Sequence, residues 1–201
     1  NDYGIRIDST AGIITQNIRI QHCTFTNSHN AVLINRALQV DVSDNRFNQT
    51  NNNALFITAR EYVCNRNTIR NTALRAGMGE PNNNQYNAIN LAGRTATAAQ
   101  NVIDSVGYCG IRFEGTNLLI QNNQISNFAR VKCDVGGIYT FKGFAPATYG
   151  YGNNRVIGNV VSRAYPNLFG TTSRVVNSNY ACGLYMDGNS FGNLVEGNTV
   201  Y

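Results

Sequence analysis

Apolar and polar residues alternate along this chain in short runs of period two, the pattern of half-buried β-strands. The clearest runs begin on a small residue: AVLI (Ala31 to Ile34), ALFI (Ala54 to Ile57), AINL (Ala88 to Leu91), GIRF (Gly110 to Phe113), GIYT (Gly137 to Thr140) and GLYM (Gly183 to Met186), with GIRI (Gly4 to Ile7) ahead of them. A second unit is an Asn followed two residues later by a large apolar residue, at Asn45/Phe47, Asn67/Ile69, Asn101/Ile103, Asn123/Ile125, Asn159/Val161 and Asn198/Val200. Cys23/Phe25 extends this series backwards, with Cys in the Asn place. From Cys23 the series reaches Asn45 and Asn67 in two equal steps; the step from Asn101 to Asn123 has the same length, and the other three are longer. Five residues before each apolar anchor stands another small or apolar residue: Ile20, Val42, Cys64, Ala98, Ile120, Val156 and Val195.

Short strands separated by Asn, Gly, Ser and Thr turns and recurring about every 22 residues describe rungs of a parallel β-solenoid. One rung cannot bury its inward face alone, so rungs stack at ~4.8 Å and equivalent residues form ladders along the axis. The longer steps then read as insertions, with residues 76–86, 141–153 and 164–178 projecting as loops. A propeller blade needs roughly 40–45 residues and antiparallel hairpins, and leucine-rich repeats need a Leu-dense half-repeat; neither pattern is present. The spacing predicts that residues 18–20, 40–42, 118–120 and 193–195 share one parallel sheet, and that the GIRF, GIYT and GLYM strands form another. The Asn row is predicted to stand at rung corners in the left-handed conformation, bonded along the axis. Neither end reads as an amphipathic cap. Gly4 to Ile7 and Leu194 to Tyr201 are therefore expected to be open rungs that pair with further sequence or another molecule, in a single segment, residues 1–201, of a longer chain.

Composition narrows the picture. Asn (32) and Gly (19) are abundant and Pro (3) is scarce, and the polar positions carry residues that compete with a helical backbone for hydrogen bonds, so helix-rich classes are excluded. No apolar run reaches the roughly 20 residues of a helical membrane span. The net charge of +5 comes from scattered arginines, among them Arg19, Arg36, Arg46, Arg60, Arg70, Arg130 and Arg155, so nucleic acid is not the expected partner. Five cysteines lie far apart without a CxxC pair, which points to buried thiols. Cys109 and Cys182 fall two rungs apart and are predicted to be unbonded. His22 and His29 lack further ligands, and no metal or cofactor is expected. Asn48-Gln49-Thr50 matches a glycosylation acceptor, as chance allows in an Asn-rich chain.

The N-x-I/F/V anchors together with the G-I-x-I/F strands resemble the right-handed parallel β-helix superfamily of pectate lyases, polygalacturonases and alginate epimerases, along essentially the whole chain. The segments KCDVGGIYT (Lys132 to Thr140) and GLYMDG (Gly183 to Gly188) are similar to the KDDGGGIYT-like and GIYMDD-like segments of secreted bacterial β-helix-repeat proteins. Asp134 and Asp187 keep two of the four Asp in that pattern, while Cys133 and Gly188 occupy the others. The resemblance implies an all-β, right-handed parallel β-helix, secreted or at the cell surface, with a polysaccharide as its partner.

Aligning the G-I-x-x strands puts Arg6, Leu33, Phe56, Asn90, Arg112, Tyr139 and Tyr185 in one outward ladder. Asp8, Asn35, Thr58, Ala92, Glu114, Phe141 and Asp187 fill the next. One face thus collects Arg112, Glu114, Tyr139, Tyr185 and Asp187, with Lys132 and Asp134 arriving from the preceding turn. Tyr139 and Tyr185 would offer an exposed platform for sugar CH faces, and Arg112 a fork for a uronate carboxylate. Glu114 and Asp187 are separated by about two strand spacings of ~4.8 Å, near the upper end of the ~6.5–9.5 Å of inverting glycosidases. Glu114, Asp134 and Asp187 are hydrolase types, whereas Lys132, Arg112 and Tyr139 suit proton abstraction by a lyase or epimerase. Asp187, Asp134, Glu114 and Lys132 are therefore the catalytic candidates, and Tyr139, Tyr185 and Arg112 the substrate-binding ones. The alternatives are a non-catalytic carbohydrate-binding or adhesin-type module, with Arg112 and Glu114 as a surface ion pair and Asp187 bracing the turn at Gly188.

Overall fold

The computed structural model describes residues 3–82, 84–143, 152–167 and 180–201. Its strands, in chain order, are β1 (Tyr3–Asp8), β2 (Thr15–Gln21), β3 (Thr24–Thr26), β4 (Asn30–Ser43), β5 (Arg46–Asn48), β6 (Leu55–Asn65), β7 (Thr68–Thr72), β8 (Ile89–Ala99) and β9 (Val102–Val106). They continue as β10 (Ile111–Gln121), β11 (Gln124–Phe128), β12 (Val135–Thr140), β13 (Asn154–Ile157), β14 (Val160–Ala164), β15 (Ala181–Met186), β16 (Asn193–Glu196) and β17 (Thr199–Val200). Every strand pairing among them is parallel, and no helix occurs among the described residues. One isolated antiparallel bridge, Thr10 with Ile13, closes a tight turn. This all-β arrangement of stacked parallel strands is compatible with a solenoid.

The sheets are divided differently from the expectation. Ile18 pairs with Val40, Ile120 with Val156 and Val156 with Val195, so the first predicted row does share a sheet. The GIRF, GIYT and GLYM strands are also parallel neighbours, as Ile111, Ile138 and Leu184 show. Both rows belong to a single sheet of ten strands, because β4, β6, β8 and β10 run unbroken from one row into the other. The second sheet, of seven strands, is built from the N-x-I/F/V anchors, in the order β17-β14-β11-β9-β7-β5-β3.

Corners are made by left-handed residues repeated at the rung spacing. Asn17, Gln39, Glu61, Thr95, Asn117 and Asn153 form one such row, and Asn27, Gln49, Asn71, Ser105, Asn127 and Arg163 another, all with φ between 53 and 62°. A third row, His22, Asp44, Arg66, Gln100 and Asn122, stands immediately before Cys23 and the Asn anchors. Polar side chains that tolerate positive φ recur here because each corner needs one. The left-handed residue is therefore the one preceding each Asn anchor, not the anchor. The anchors are buried and bonded along the axis: Asn123 Oδ1 accepts from the backbone N–H (3.0 Å) and Nδ2 (2.9 Å) of Asn101, while its Nδ2 donates to Ala98 O and Asn159 Oδ1, both at 2.9 Å.

Between the two sheets lies the apolar core, with Val42, Cys64, Ala98, Ile120 and Val156 facing Phe47, Ile69, Ile103, Ile125 and Val161. Phe25 and Phe47 stack in adjacent rungs with centroids 4.9 Å apart. All five cysteines are free; Cys64 and Cys109 are buried, the other three partly so. Gly136 stands between Cys109 and Cys182 in register, and that intervening rung keeps the pair too far apart to bridge. At one end β1, β2 and β3 have one neighbour each, and at the other β15, β16 and β17 likewise. Residues 76–86 form a turn-rich connection before β8 with residue 83 outside the described residues, as are 144–151 and 168–179 of the other two predicted loops.

Candidate functional site

The predicted outward ladder is held in register across seven strands: Arg6 pairs with Leu33, Leu33 with Phe56, Phe56 with Asn90, Asn90 with Arg112, Arg112 with Tyr139 and Tyr139 with Tyr185. Outward is not exposed here. Arg112 is 3% and Tyr139 2% exposed, so the open tyrosine platform reduces to Tyr185 and its neighbour Tyr180. The connection at 76–86 folds over this part of the face, where Asn84 O accepts from the Asn90 and Asn53 side chains at 3.0 Å.

Arg112 donates through Nη2 to Glu114 Oε1, two residues on in the same strand. This is a part-buried ion pair and not a surface one, since the Arg112 side chain is almost wholly enclosed. A pocket of about 430 Å³ opens beside it, lined by Asn82 and Asn84 from one loop and by Phe141, Lys142 and Gly143 from the other. Two buried polar atoms of its lining residues lack partners among the described residues: Arg112 Nε, a donor, and Asn84 Oδ1, an acceptor. Buried polar groups are normally paired, so these two are exceptions at the edge of the pocket.

A tyrosine cluster continues the face. Tyr139 meets Tyr108 edge-on with centroids 6.3 Å apart and Tyr185 at 5.5 Å, and Tyr185 meets Tyr180 at 5.8 Å. The Tyr180 and Tyr185 hydroxyls share a hydrogen bond of 2.8 Å. Burial, reinforced by Tyr108 and Asp187, pushes the Tyr139 hydroxyl well above the ordinary phenol range, so it stays protonated and donates to Asp187 Oδ2 at 2.9 Å. The other Asp187 oxygen accepts the Gly188 N–H at 2.6 Å and braces that turn. The Tyr180 hydroxyl is pushed up by its bond to Tyr185 and by Asp134. For Tyr185 the Tyr180 bond favours the phenolate, but burial and the charges of Asp187 and Asp134 outweigh it and raise the group.

Lys132 packs on the aromatic rings at the edge of this cluster. Its ammonium lies 4.2 Å from the Tyr86 ring centre and 5.3 Å from that of Tyr108, and donates to Asn82 O at 3.0 Å. Burial in this aromatic niche lowers the amine to about 8.

The structure thus sorts the seven predicted residues into three neighbouring groups. Arg112 and Glu114 line the pocket; Tyr139, Tyr185, Asp187 and Asp134 belong to the tyrosine cluster; Lys132 lies over Tyr86 and Tyr108. Of the three carboxylates, Glu114 lines the pocket, while Asp187 accepts from Tyr139 and Asp134 lies beside Tyr180. Tyr86, Tyr108, Tyr180 and Asn84 were missed by the sequence reading. For two of them a signal exists: YNAINL (Tyr86 to Leu91) and YCGIRF (Tyr108 to Phe113) repeat one rung apart, so Tyr86 and Tyr108 occupy equivalent places on adjacent rungs. Set against protein-family models, curated proteins and solved structures, the chain matches none of them.

Proposed function

We propose that this chain is a right-handed parallel β-helix that binds a polysaccharide outside the cell, at the surface or after secretion. The hand follows from the rule that parallel crossovers within one sheet are nearly always right-handed. The observation carrying the binding reading is the pocket beside Arg112 and Glu114, two of whose lining residues hold buried polar atoms, Arg112 Nε and Asn84 Oδ1, without a partner among the described residues. A sugar hydroxyl both donates and accepts, and one hydroxyl or a vicinal pair would satisfy Arg112 Nε and Asn84 Oδ1 together. The Tyr180 and Tyr185 rings beside it present apolar faces with polar tips, suited to the CH face of the next sugar unit. A panel of soluble neutral and acidic polysaccharides in affinity electrophoresis tests this. At least one should be retarded, and Tyr185→Ala should weaken that binding about tenfold, the order of one ring contact. Retardation of none, or no change on Tyr185→Ala, refutes the reading.

A second reading, uronate lyase or epimerase chemistry, is favoured by one observation: Lys132, with its amine near 8, holds a substantial neutral fraction close to the site and meets the requirement for a general base. Following unsaturated products and reducing ends in the same panel tests it. Product formation abolished by Lys132→Met supports catalysis; binding without product leaves a binding module.

A further inference from the structure

A second groove lies at the bend of the ten-stranded sheet, away from the pocket just described. Its floor is Ala37, Ala59 and Gly93, in register on three successive rungs, and its volume is about 400 Å³. Arg36, Arg60 and Arg94 line it, with the Ser9 to Gly12 turn as the opposite wall. Arg60 and Arg94 are direct register partners. Arg36 joins them through the register shift between Asn35 and Ala37, where its own φ of 57° turns the strand.

The small floor has a backbone cause at Gly93. Its φ is +118°, and a Cβ there would sit 1.9 Å from Ala59 O. The chain must be Gly at that point, because the place of a Cβ is already taken by the backbone of the neighbouring strand, and the two strands meet closely under the groove. None of the three arginines forms an ion pair among the described residues, and no acidic side chain lines the groove. Asp8 is within electrostatic reach of Arg36, but it is bonded to Arg6 and Asn35. Glu61, next to Arg60, lines a different depression with Arg19 and Asp41. Three exposed, uncompensated guanidinium forks on consecutive rungs are a concentration of positive charge that the scattered sequence positions conceal.

We propose that Arg36, Arg60 and Arg94 form an anion-binding groove for the sulfate or phosphate esters of a polyanionic glycan. Guanidinium recognises such groups through paired N–H donors, and a tetrahedral ester presents three oxygens to forks converging from three rungs, where a carboxylate presents two. Arg60 and Arg94 stand one ~4.8 Å rung apart and Arg36 follows from the bulge of the next strand, so positive charge repeats along the groove, which favours a polymer with charges repeated along it. Among the described residues no aromatic side chain lines the groove, so single-stranded nucleic acid would find no stacking surface there. That the carrier is a glycan rests on the polysaccharide reading above; the anion chemistry rests on the arginines alone.

The test uses dextran sulfate as probe, with unmodified dextran and a short DNA duplex as comparators, by titration in low salt. Dextran sulfate should bind, dextran should not compete, and Arg60→Gln with Arg94→Gln should weaken binding at least tenfold. The doubly substituted Arg60→Lys, Arg94→Lys protein should recover only part of the loss. Because these side chains are exposed, an unchanged melting temperature is expected for all variants. Arg19→Gln with Arg155→Gln, outside the groove, should weaken binding less than threefold; an equal loss would overturn the groove in favour of net charge. Full recovery by Lys overturns fork recognition, and DNA binding as tight as dextran sulfate overturns the glycan. Tyr185→Ala separates the two sites: dextran sulfate binding should survive it, so failure here and failure of the Tyr185 face are read independently.

Discussion

The Asn row is the feature whose removal has the most calculable consequence. Asn123 is wholly buried, and its amide serves four partners: Asn101 N and Nδ2, Ala98 O and Asn159 Oδ1. Asn123→Ala strips all four contacts and leaves at least the Asn101 N–H and the Ala98 carbonyl without this partner, inside a core too tight to admit water freely. Each buried group so orphaned costs roughly 1–3 kcal/mol, so a loss of about 4 kcal/mol is expected, a large share of the ~5–15 kcal/mol of a typical domain. Asn123→Asp should be worse near neutral pH, since it turns the amide donor into an acceptor facing Ala98 O and Asn159 Oδ1 and buries an unpaired charge. Its deficit should shrink on acidification, as the protonated acid regains one donor. Asn198→Ala, at the partly exposed end of the row, should cost about 1 kcal/mol, because water replaces the lost bonds. Urea unfolding followed by far-UV circular dichroism measures all three. An Asn123→Ala loss no greater than that of Asn198→Ala, or no more than the roughly 1 kcal/mol of a single ordinary hydrogen bond, would refute the claim that the row holds the rungs together.

Two further outcomes follow from the backbone and from Lys132. Gly93→Ala should destabilise by roughly 3 kcal/mol or more, because its φ of +118° and the 1.9 Å approach to Ala59 O leave no room for a Cβ; Gly12→Ala, also at positive φ but in open space, should cost only about 1 kcal/mol, and equal melting losses would refute the close approach. Lys132 has a folded-state amine near 8 against an ordinary value of about 10.4, so between those pH values the unfolded chain holds the proton that the folded chain has released, and stability contributed by this group rises with pH. The melting temperature of the unsubstituted protein minus that of Lys132→Met should therefore increase from pH 8 to pH 10; a flat or falling difference refutes the burial of the amine. The Cys64 thiol, pushed up to about 12 by burial, acts in the opposite sense but equally in both proteins.

The repeat was legible because a rung must place the same kind of residue at the same point each time, and the pairing of Arg112 with Tyr139 and of Tyr139 with Tyr185 followed from counting. Sheet boundaries were not, because the left-handed residues that turn the chain there, Gln39, Glu61 and Thr95, differ from rung to rung, and the shift they put into the alternation looks the same for a bend within one sheet as for a passage between two. The left-handed corner residue hid for a different reason. It varies among His, Asp, Arg, Gln and Asn at successive rungs, so only the recurrent Asn next to it makes a visible pattern. Alternation also says which way a side chain points and nothing about what folds over it, which is why Arg112 and Tyr139 look exposed in the sequence. Arg36, Arg60 and Arg94 look dispersed until the insertion ahead of β8 is subtracted from their spacing.

The division of the acidic residues bears on what chemistry this face can support. A general acid or base must have its proton available to the ligand, and two of the candidates are already engaged: Glu114 accepts from Arg112, and Asp187 accepts from both Tyr139 and the Gly188 N–H. Removing Asp187 would orphan a buried tyrosine hydroxyl and loosen a turn, so a loss of function in that variant would not by itself identify a proton donor. Tyr139 is held protonated and is a donor, not a base. Among the predicted catalytic residues, Lys132 has an amine lowered to about 8 by burial, and it is held by two rings and a carbonyl. Hydrolysis by paired carboxylates therefore finds less support in this geometry than binding does, and catalysis on this face would turn on the Lys132 amine.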